Sequence, residues 1–441
     1  MSWQAAARSP QGALPALVAD RFREAIFVLI LLAVWVTTRP YDPPQPGVVG
    51  AATSDLVNQI TFSALAVASV IGLALGDLRR IRPLLQLSYA AMLGWLLVSI
   101  MPALDIGSSF RALAFTLIAM ILAASLLALP RDYARFQRLF YGTVLLTLAV
   151  AWAGVLLLPD IAIHTDVDTF EPEHAGSWRG QFSHKNIAGA MMAAFAIIGV
   201  YALRSGRRAV GLVLLIGAVT FLYLTRSKTS LGLLPIALVL AYLAERIPFL
   251  VVRAGLLLGP ILTLNVLTLG SALFPGIAEL NRALLKDPSF TGRFDIWRFG
   301  FEKLAERPWT GFGFESFWLT DHTMRGESKL ELAWEVQNII HGHNGYLDVL
   351  LTLGIPGLVL VVYIFLLKPV WDYHNHRPGD ANRRFAGACL AIWLFISLGM
   401  CLEVFYFRRA DPIWFLLLIA VFGLRMASRL RLEDRDQPRR S

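Results

Sequence analysis

The chain has 441 residues, 56% of them hydrophobic and only 16% charged, and its formal net charge is +9. Soluble domains carry about 25% charged residues, so the composition excludes an ordinary soluble protein and indicates a polytopic membrane protein. The two cysteines, Cys389 and Cys401, lie in one apolar run, which excludes a disulfide framework and a cysteine-based metal site.

Long apolar runs recur along the whole chain. A membrane-crossing helix needs about 20 mostly apolar residues, and the sequence predicts about 12 such helices. The predicted spans are residues 22–38, 56–76, 83–101, 110–129, 139–158, 185–203, 209–225, 230–246, 248–270, 344–367, 384–407 and 412–427. The first is interpreted as a signal anchor, because bulky residues end it and no small-residue cleavage site follows. We therefore expect an all-α fold in a single integral membrane domain over residues 1–441, with spans in segments 22–270 and 344–427.

Lys and Arg side chains are concentrated in alternate connections between these spans. Examples are Asp77–Arg82, Arg131–Arg138, Arg204–Arg208 and the basic tail 428–441. Because short loops rich in Lys and Arg stay in the cytoplasm, both termini are expected there. The net positive charge is then explained by the basic cytoplasmic loops. Its expected partners are membrane lipids, and no nucleic-acid partner is expected.

Two connections on the outer side are longer than turns, residues 159–184 and 271–343. The larger one carries apolar side chains at helical spacing, namely Phe294, Trp297, Phe301 and Leu304. Pro308 ends this predicted amphipathic helix, and a second one is predicted from about Glu327 to Ile340. Amphipathic helices beside a membrane lie on its surface or cover a cavity.

Several cations lie on the outer side, against the charge rule. They are Arg226 and Lys228 between the seventh and eighth spans, Lys185 at the start of the sixth, Arg293 in the large loop and Arg408 after the eleventh. Charges at membrane depth face a cavity or a partner, and Arg and Lys both suit phosphate groups. The pattern predicts a polyanion at the outer surface, such as a lipid-linked pyrophosphate. Each cation taken alone can equally snorkel or pair with an acid.

His343 stands next to Asn344 at the start of the tenth span. Neutral imidazole is a suitable general base near neutral pH, so we expect His343 to act as a base. Asn344 is expected to orient it or to bond the substrate. Two alternatives stay open at this point: a structural histidine at a helix cap, and a metal site of His341 and His343 with His322 or His184. The histidine spacing fits no strong zinc signature.

The segment that begins at His343 resembles a known signature. His343-Asn344 followed after nine residues by Gly354-Ile355-Pro356-Gly357 is similar to the His-Asn/Ser/Gln-x9-Gly-x-x-Gly signature of bacterial O-antigen ligases. Their superfamily also holds Wzy-type O-antigen polymerases and exopolysaccharide polymerases. Further similarity lies in Thr291-Gly292-Arg293, Ile296-Trp297, Pro308 with Gly311 and Gly313, and in Phe182-Ser183-His184-Lys185-Asn186 leading to Gly189. Arg179 and Gly189 are one residue short of the polymerases' Arg-x10-Gly pattern.

The resemblance implies a metal-independent, cofactor-free glycosyltransferase of the bacterial inner membrane, with a GT-C-like fold and its active site in the periplasm. Segment 271–343 would be the large periplasmic loop. The donor would be an undecaprenyl-pyrophosphate-linked glycan, and the acceptor a sugar hydroxyl of the lipid A–core. His343 would activate that hydroxyl, while Arg293 and Arg226 would hold the pyrophosphate. The other expected substrate-binding residues are Lys228, Lys185, Asn344, Arg179, His184 and Arg408.

Two other functions compete with the ligase interpretation. A polymerase of the same superfamily would join carrier-linked repeat units, so that its acceptor is another glycan. A transporter or flippase of a lipid-linked solute belongs to a different class. It is disfavoured, because the sequence has no inverted repeat and no matched pair of broken helices.

Overall fold

The structure, a computed structural model, describes residues 13–41, 56–166, 172–284, 290, 292–324 and 339–432. The described part of the chain is mainly helical, and an isolated strand-like bridge pairs Ile163 with Trp178. The all-α prediction is therefore confirmed. The helices are α1 (Ala13–Trp35), α2 (Leu56–Ala74), α3 (Leu87–Val98), α4 (Ile106–Ala128), α5 (Tyr133–Leu157), α6 (Pro159–Ala162), α7 (Lys185–Arg204), α8 (Arg208–Leu224), α9 (Lys228–Ala244), α10 (Leu250–Leu273), α11 (Pro275–Leu284), α12 (Arg293–Leu304), α13 (Asp321–Met324), α14 (Gly345–Val361), α15 (Lys368–His374), α16 (Asp380–Gly399) and α17 (Pro412–Arg429).

Each predicted span overlaps one of these helices. Among the described residues, 7 helices are long and apolar enough to cross a membrane, or 8 if the bent pair Leu78–Leu84 and Leu87–Val98 is one span. Helices α8 and α9 are apolar but shorter. The chain is thus a multi-pass membrane protein, while the count of about 12 spans and the GT-C-like arrangement stay predictions.

Helix α17 forms the centre of the bundle. The N-terminus of α17 is stabilised because Asp411 accepts hydrogen bonds from the amides of Ile413 and Trp414, and because Pro412 suits the first helical position. Apolar side chains then surround the helix, which packs against α16, α4 and α7. In contrast, α2 and α10 leave most of their apolar residues on the outside of the bundle, as expected for helices that face lipid. Because α17 packs against both α16 and α7, it helps to position these two helices.

The large loop folds back onto the start of α14. The predicted amphipathic helix is confirmed as α12, which ends before Pro308. Its Trp297 and Phe299 are fully buried in a separate apolar cluster that also contains Leu347 and Leu351 of α14. The loop helix therefore covers one side of α14. The second predicted helix, Glu327–Ile340, lies outside the described residues except for its last two positions, and Thr291 also lies outside them.

Candidate functional site at the start of α14

Asn344 fixes the backbone next to His343. Its side chain is fully buried and makes four hydrogen bonds. The oxygen accepts from the amides of Tyr346 (3.0 Å) and Leu347 (3.1 Å), which caps α14. The nitrogen donates to Asn265 Oδ1 (3.2 Å) and to the Cys401 carbonyl (3.0 Å). Asn344 thus anchors the start of α14 to α10 and to the segment after α16.

His343 adopts an unusual backbone conformation as a consequence. Its φ is +49°, in the left-handed region, and its side chain is 30% exposed. Such conformations cost free energy and persist where the surroundings enforce them, often at functional sites. Helix α12 contributes to this, because Trp297 Nε1 donates to the Gly342 carbonyl at 3.0 Å. The imidazole is therefore held at the mouth of the helix with one side accessible.

Glu403, which follows α16, links the main groups of the site. One carboxylate oxygen accepts from Arg293 Nη2 at 2.9 Å and from Asn186 Nδ2 at 3.2 Å. The other lies 3.7 Å from His343 Nδ1, at ion-pair distance. Arg293 also donates to the Leu402 carbonyl. A carboxylate behind an imidazole orients the ring and stabilises its protonated form.

Neighbouring charges determine the ionisation of this carboxylate. Burial alone would raise the pKa of Glu403, but Arg293, His343 and His341 around it more than offset burial and hold the pKa well below its usual range. The carboxylate is thus ionised at neutral pH. For His341, burial lowers the pKa, and His343 and Arg408 lower it further, so this imidazole is neutral at pH 7. The site therefore holds an anion between an arginine and two histidines.

Sequence reasoning missed Glu403. An available signal was its position as an acid inside the predicted span 384–407, because ionisable residues at membrane depth are expensive and usually functional. Its partners could not be inferred, since they lie far away in the chain on other elements. The structure adds Asn186, at the start of α7, to the same group.

At Gly354 of the signature, α14 has a gap, the socket, that receives the turn of the large loop. Gly354 has φ +66° and breaks α14, and a Cβ there would lie 2.2 Å from the Trp309 carbonyl oxygen. The break leaves the Ile355 amide free to donate to the Pro308 carbonyl at 2.9 Å. Only a residue without Cβ fits this conformation and this contact. Gly354, eleven residues after His343, is thus the point of the signature at which α14 contacts the Pro308–Trp309 turn of the loop.

A cleft of about 280 Å³, counting its open side, extends from Glu403 towards the turn before α9. Asn186 lines it on one side, and Ser227, Thr229 and Ser230 line it on the other. The predicted cations Arg226 and Lys228 belong to this turn and are exposed. Arg226 has φ +53° and donates to the Ala175 carbonyl at 3.1 Å. The cleft therefore runs from Glu403 to Ser227, which stands between Arg226 and Lys228 in the chain.

The remaining predicted residues lie around this centre. His184 caps α7 by accepting from the Asn186 amide at 3.1 Å, and Lys185 is the first residue of that helix. Arg408 is partly exposed and acts on His341 through its charge. Arg179 is buried and donates to the carbonyls of Ile161 (2.7 Å) and Ser183 (3.4 Å), so its visible role is to hold the outer segment together.

The histidine pair offers a set of ligand atoms for a metal ion. His341, His343 and Glu403 have ligand atoms that all lie within 4.8 Å of one another. The third member is thus Glu403 rather than His322, which pairs with Glu306 at 3.2 Å, or His184, whose ring lies 5.3 Å from that of His174. Arg293 already bonds Glu403, so a metal ion would compete with a guanidinium for this carboxylate.

The fold and the site together define a multi-pass membrane protein with a cationic, histidine-containing centre at one end of its bundle. Residues 211–362 match the model of a family described as O-antigen ligase. The matched segment runs from α8 to α14 and contains Arg226, Arg293 and His343. Glu403 lies beyond it.

Three curated proteins are similar to parts of the chain. The exopolysaccharide production protein ExoQ of Rhizobium meliloti is 28% identical over 96 residues, which is 21% of this chain and 21% of that protein. A protein of Rickettsia conorii named as a polysaccharide ligase is 29% identical over 143 residues, 30% of this chain and 33% of that protein. One of Rickettsia prowazekii, with the same kind of name, is 35% identical over 122 residues, 24% of this chain and 28% of that protein.

The alignments thus span between 21% and 33% of the length of these relatives. Together with the family match, they confirm the resemblance to the superfamily of O-antigen ligases and Wzy-type polymerases. This chain is related to that superfamily.

Proposed function

We propose that the protein is an O-antigen-ligase-type glycosyltransferase of the bacterial inner membrane. It transfers a glycan from an undecaprenyl-pyrophosphate carrier to a sugar hydroxyl of the lipid A–core at the periplasmic face. The observation that supports this most is the group of His343, Glu403 and Arg293 at the mouth of α14, because it combines a base with a cation for the leaving group. The cytoplasmic location of both termini and the GT-C-like arrangement belong to the same proposal.

The reaction needs a base and a site for a pyrophosphate. His343 takes the proton of the acceptor hydroxyl while the hydroxyl oxygen attacks the anomeric carbon of the donor sugar. The bond between that carbon and the pyrophosphate oxygen breaks, and the carrier pyrophosphate leaves with the electron pair. A positioned base contributes typically about 10²–10⁴-fold. Pyrophosphate is a good leaving group, so orientation and charge neutralisation supply the rest.

Each neighbour of His343 has a distinct part in this proposal. Glu403 orients the imidazole and stabilises the imidazolium that forms. The departing pyrophosphate is neutralised by Arg293 and by the cations Arg226 and Lys228. Lys185 and Arg408 add positive charge at the edges of the site. Asn344 acts through the helix cap that holds His343. The mechanism requires no metal ion, because the base and the counter-charges are side chains of this chain.

A polymerase is the second candidate, favoured by the similarity to an exopolysaccharide production protein. It would use the same base and the same cations, and its acceptor would be a second carrier-linked glycan. The two functions differ only in what the acceptor is attached to.

The surface polysaccharide of a deletion strain separates the candidates. A ligase predicts that complete polymer accumulates on the carrier and never reaches the lipid A–core, and that the intact gene restores attachment. Single repeat units on the lipid A–core would instead indicate the polymerase. An unchanged polysaccharide profile would contradict both functions.

A further inference from the structure

A second cleft opens at the end of the bundle opposite to His343. It lies between α5, α7, α16 and α17 and has a volume of about 580 Å³, counting its open side. Helices α7 and α16 each have 20 residues, which corresponds to a length of about 30 Å. Asn186 and Glu403 lie at one end of these helices, and Ser205 and Arg384 line the cleft at the other. The cleft is therefore separate from the proposed active site.

The inner wall of this cleft is apolar and rich in aromatic rings. Phe136 stacks on Phe140 with ring centroids 5.4 Å apart. Phe385 of α16 lies edge-on to Phe136 at 5.8 Å and so bridges the two helices. The deeper lining consists of aliphatic side chains such as Ile392 and Leu416. Such a wall stabilises an apolar ligand by removing its surface from water or from a mobile lipid environment.

The rim of the cleft is polar and basic. Gln137, Ser205 and Arg384 line it near the first turns of α5 and α16 and just after α7. Arg384 is the one charged residue among the lining residues. The surrounding connections, Arg131–Arg138 and Arg204–Arg208, are those that the charge rule assigns to the cytoplasm. Basic pockets between membrane helices on that side bind anionic lipid headgroups.

We propose that this cleft binds an anionic phospholipid of the cytoplasmic leaflet, with one acyl chain between α5 and α16 and its phosphate at Arg384. From Arg384 to Ile392 the cleft follows α16 for eight residues, about 12 Å, which suits an extended hydrocarbon chain. The small side chains of Ala388 and Ala420 leave room beside it. The bound lipid contacts both α5 and α16 at the same end of the bundle as the contact between Phe385 and Phe136.

The test measures lipid retention by the purified full-length protein. The protein is delipidated in mild detergent, titrated with phosphatidylglycerol or phosphatidylcholine, and analysed by native mass spectrometry. Wild type is expected to retain phosphatidylglycerol preferentially. Arg384→Gln is expected to reduce this retention by about tenfold or more, because a charge-assisted hydrogen bond to phosphate is lost. Ala388→Trp, which fills the cleft, is expected to reduce retention of both lipids at this site.

Arg383→Gln is the matched control. Arg383 precedes Arg384 but is exposed, bonds Asp380 at 2.7 Å and does not line the cleft. Equal losses in Arg383→Gln and Arg384→Gln would overturn the proposal, as would equal retention of the two phospholipids by wild type. Preferential retention of a polyprenyl phosphate would also overturn it, since the cleft would then hold the donor's tail. If the variants fail to fold, a photoreactive acyl chain on phosphatidylglycerol must label α5 and α16 in wild type, and labelling elsewhere contradicts the site.

Discussion

At the residue scale, three side chains of the proposed site, Arg293, Glu403 and His343, modify one another. Arg293 pairs with Glu403 at 2.9 Å, and the other carboxylate oxygen of Glu403 lies 3.7 Å from His343 Nδ1. Each member therefore makes a different contribution, which point substitutions can separate. Arg226 and Lys228 are exposed, so we expect them to contribute little to the stability of the fold.

Glu403→Gln keeps the shape of the side chain and removes its charge. We expect a loss of transfer activity, since the imidazolium loses its counter-charge. We also expect a loss of stability at neutral pH of about 3 kcal/mol, the usual order for breaking a buried pair. Because the pKa of Glu403 is held below its ordinary value, this stabilisation is complete above about pH 5 and is lost as the pH falls below about 4.

Thermal unfolding in detergent as a function of pH checks this prediction. The difference between wild type and Glu403→Gln should be largest at pH 7, should start to shrink within about a unit of the ordinary glutamate pKa, and should continue to shrink as the pH falls towards the lowered pKa of folded Glu403. A difference that grows on acidification would contradict the charge state assigned to Glu403.

Arg226→Ala should weaken donor binding and leave folding unchanged. Its guanidinium is exposed and bonds the Ala175 carbonyl, so its removal leaves no buried charge unpaired. The KM for the lipid-linked donor is expected to rise about tenfold, as for the loss of one charge-assisted contact. Arg246→Ala, at the opposite end of α9, serves as the control. An unchanged donor dependence would remove Arg226 from the phosphate site.

Chelation tests the role given to the His341, His343 and Glu403 group. The proposed mechanism predicts that transfer by the purified protein is unchanged after treatment with excess EDTA, because Arg293 supplies the positive charge at Glu403. Loss of activity that a single divalent cation restores would instead assign these ligand atoms to a metal ion.

At the element scale, the break in α14 contacts the turn of the large loop at Pro308 and Trp309. The Gly354 conformation and its contact with the Trp309 carbonyl leave no room for a side chain. The neighbouring cluster of Trp297 and Phe299 with Leu347 then holds α12 against the same helix. Helix α12 could be predicted from the spacing of its apolar residues. The socket could not, because a Gly-x-x-Gly pattern does not tell which segment approaches it.

Gly354→Ala should displace the loop turn from α14. The substitution forces a Cβ to within 2.2 Å of a carbonyl oxygen and places alanine at φ +66°. We expect a destabilisation of more than about 1 kcal/mol, and a loss of transfer activity. Gly259→Ala is the matched control, since a Cβ there has nothing within 4 Å in the middle of α10. It should be neutral or stabilising by up to about 1 kcal/mol. Limited proteolysis of the loop compares the two variants, and equal protection would contradict the socket.

At the scale of the whole molecule, the helices were predictable and their arrangement was not. Each span is a local property of the chain, so the hydropathy pattern located a helix at every predicted segment. The site depends on contacts between α14, α7, α12 and the segment after α16, whose residues are far apart in sequence. His343 and Arg293 are candidates from their residue types and from the resemblance, and their roles stay predictions. That Glu403 and Asn186 lie beside them required the tertiary structure.

The arrangement also places the two proposed sites at opposite ends of the bundle. Helices α7 and α16 reach from the proposed active site to the basic rim of the second cleft, so both sites depend on the same pair of helices around α17. The two ends differ in chemistry, with a base and cations at one end and an apolar wall with a basic rim at the other.

Glycan transfer by purified His343→Ala, supplied with carrier-linked glycan and acceptor, tests directly whether His343 is the base. We expect the rate to fall by at least about 10²-fold, while expression, membrane insertion and donor binding stay at wild-type levels. His376→Ala, at the other end of the bundle after α15, should transfer normally. Full activity in His343→Ala would contradict the assignment of this histidine as the base.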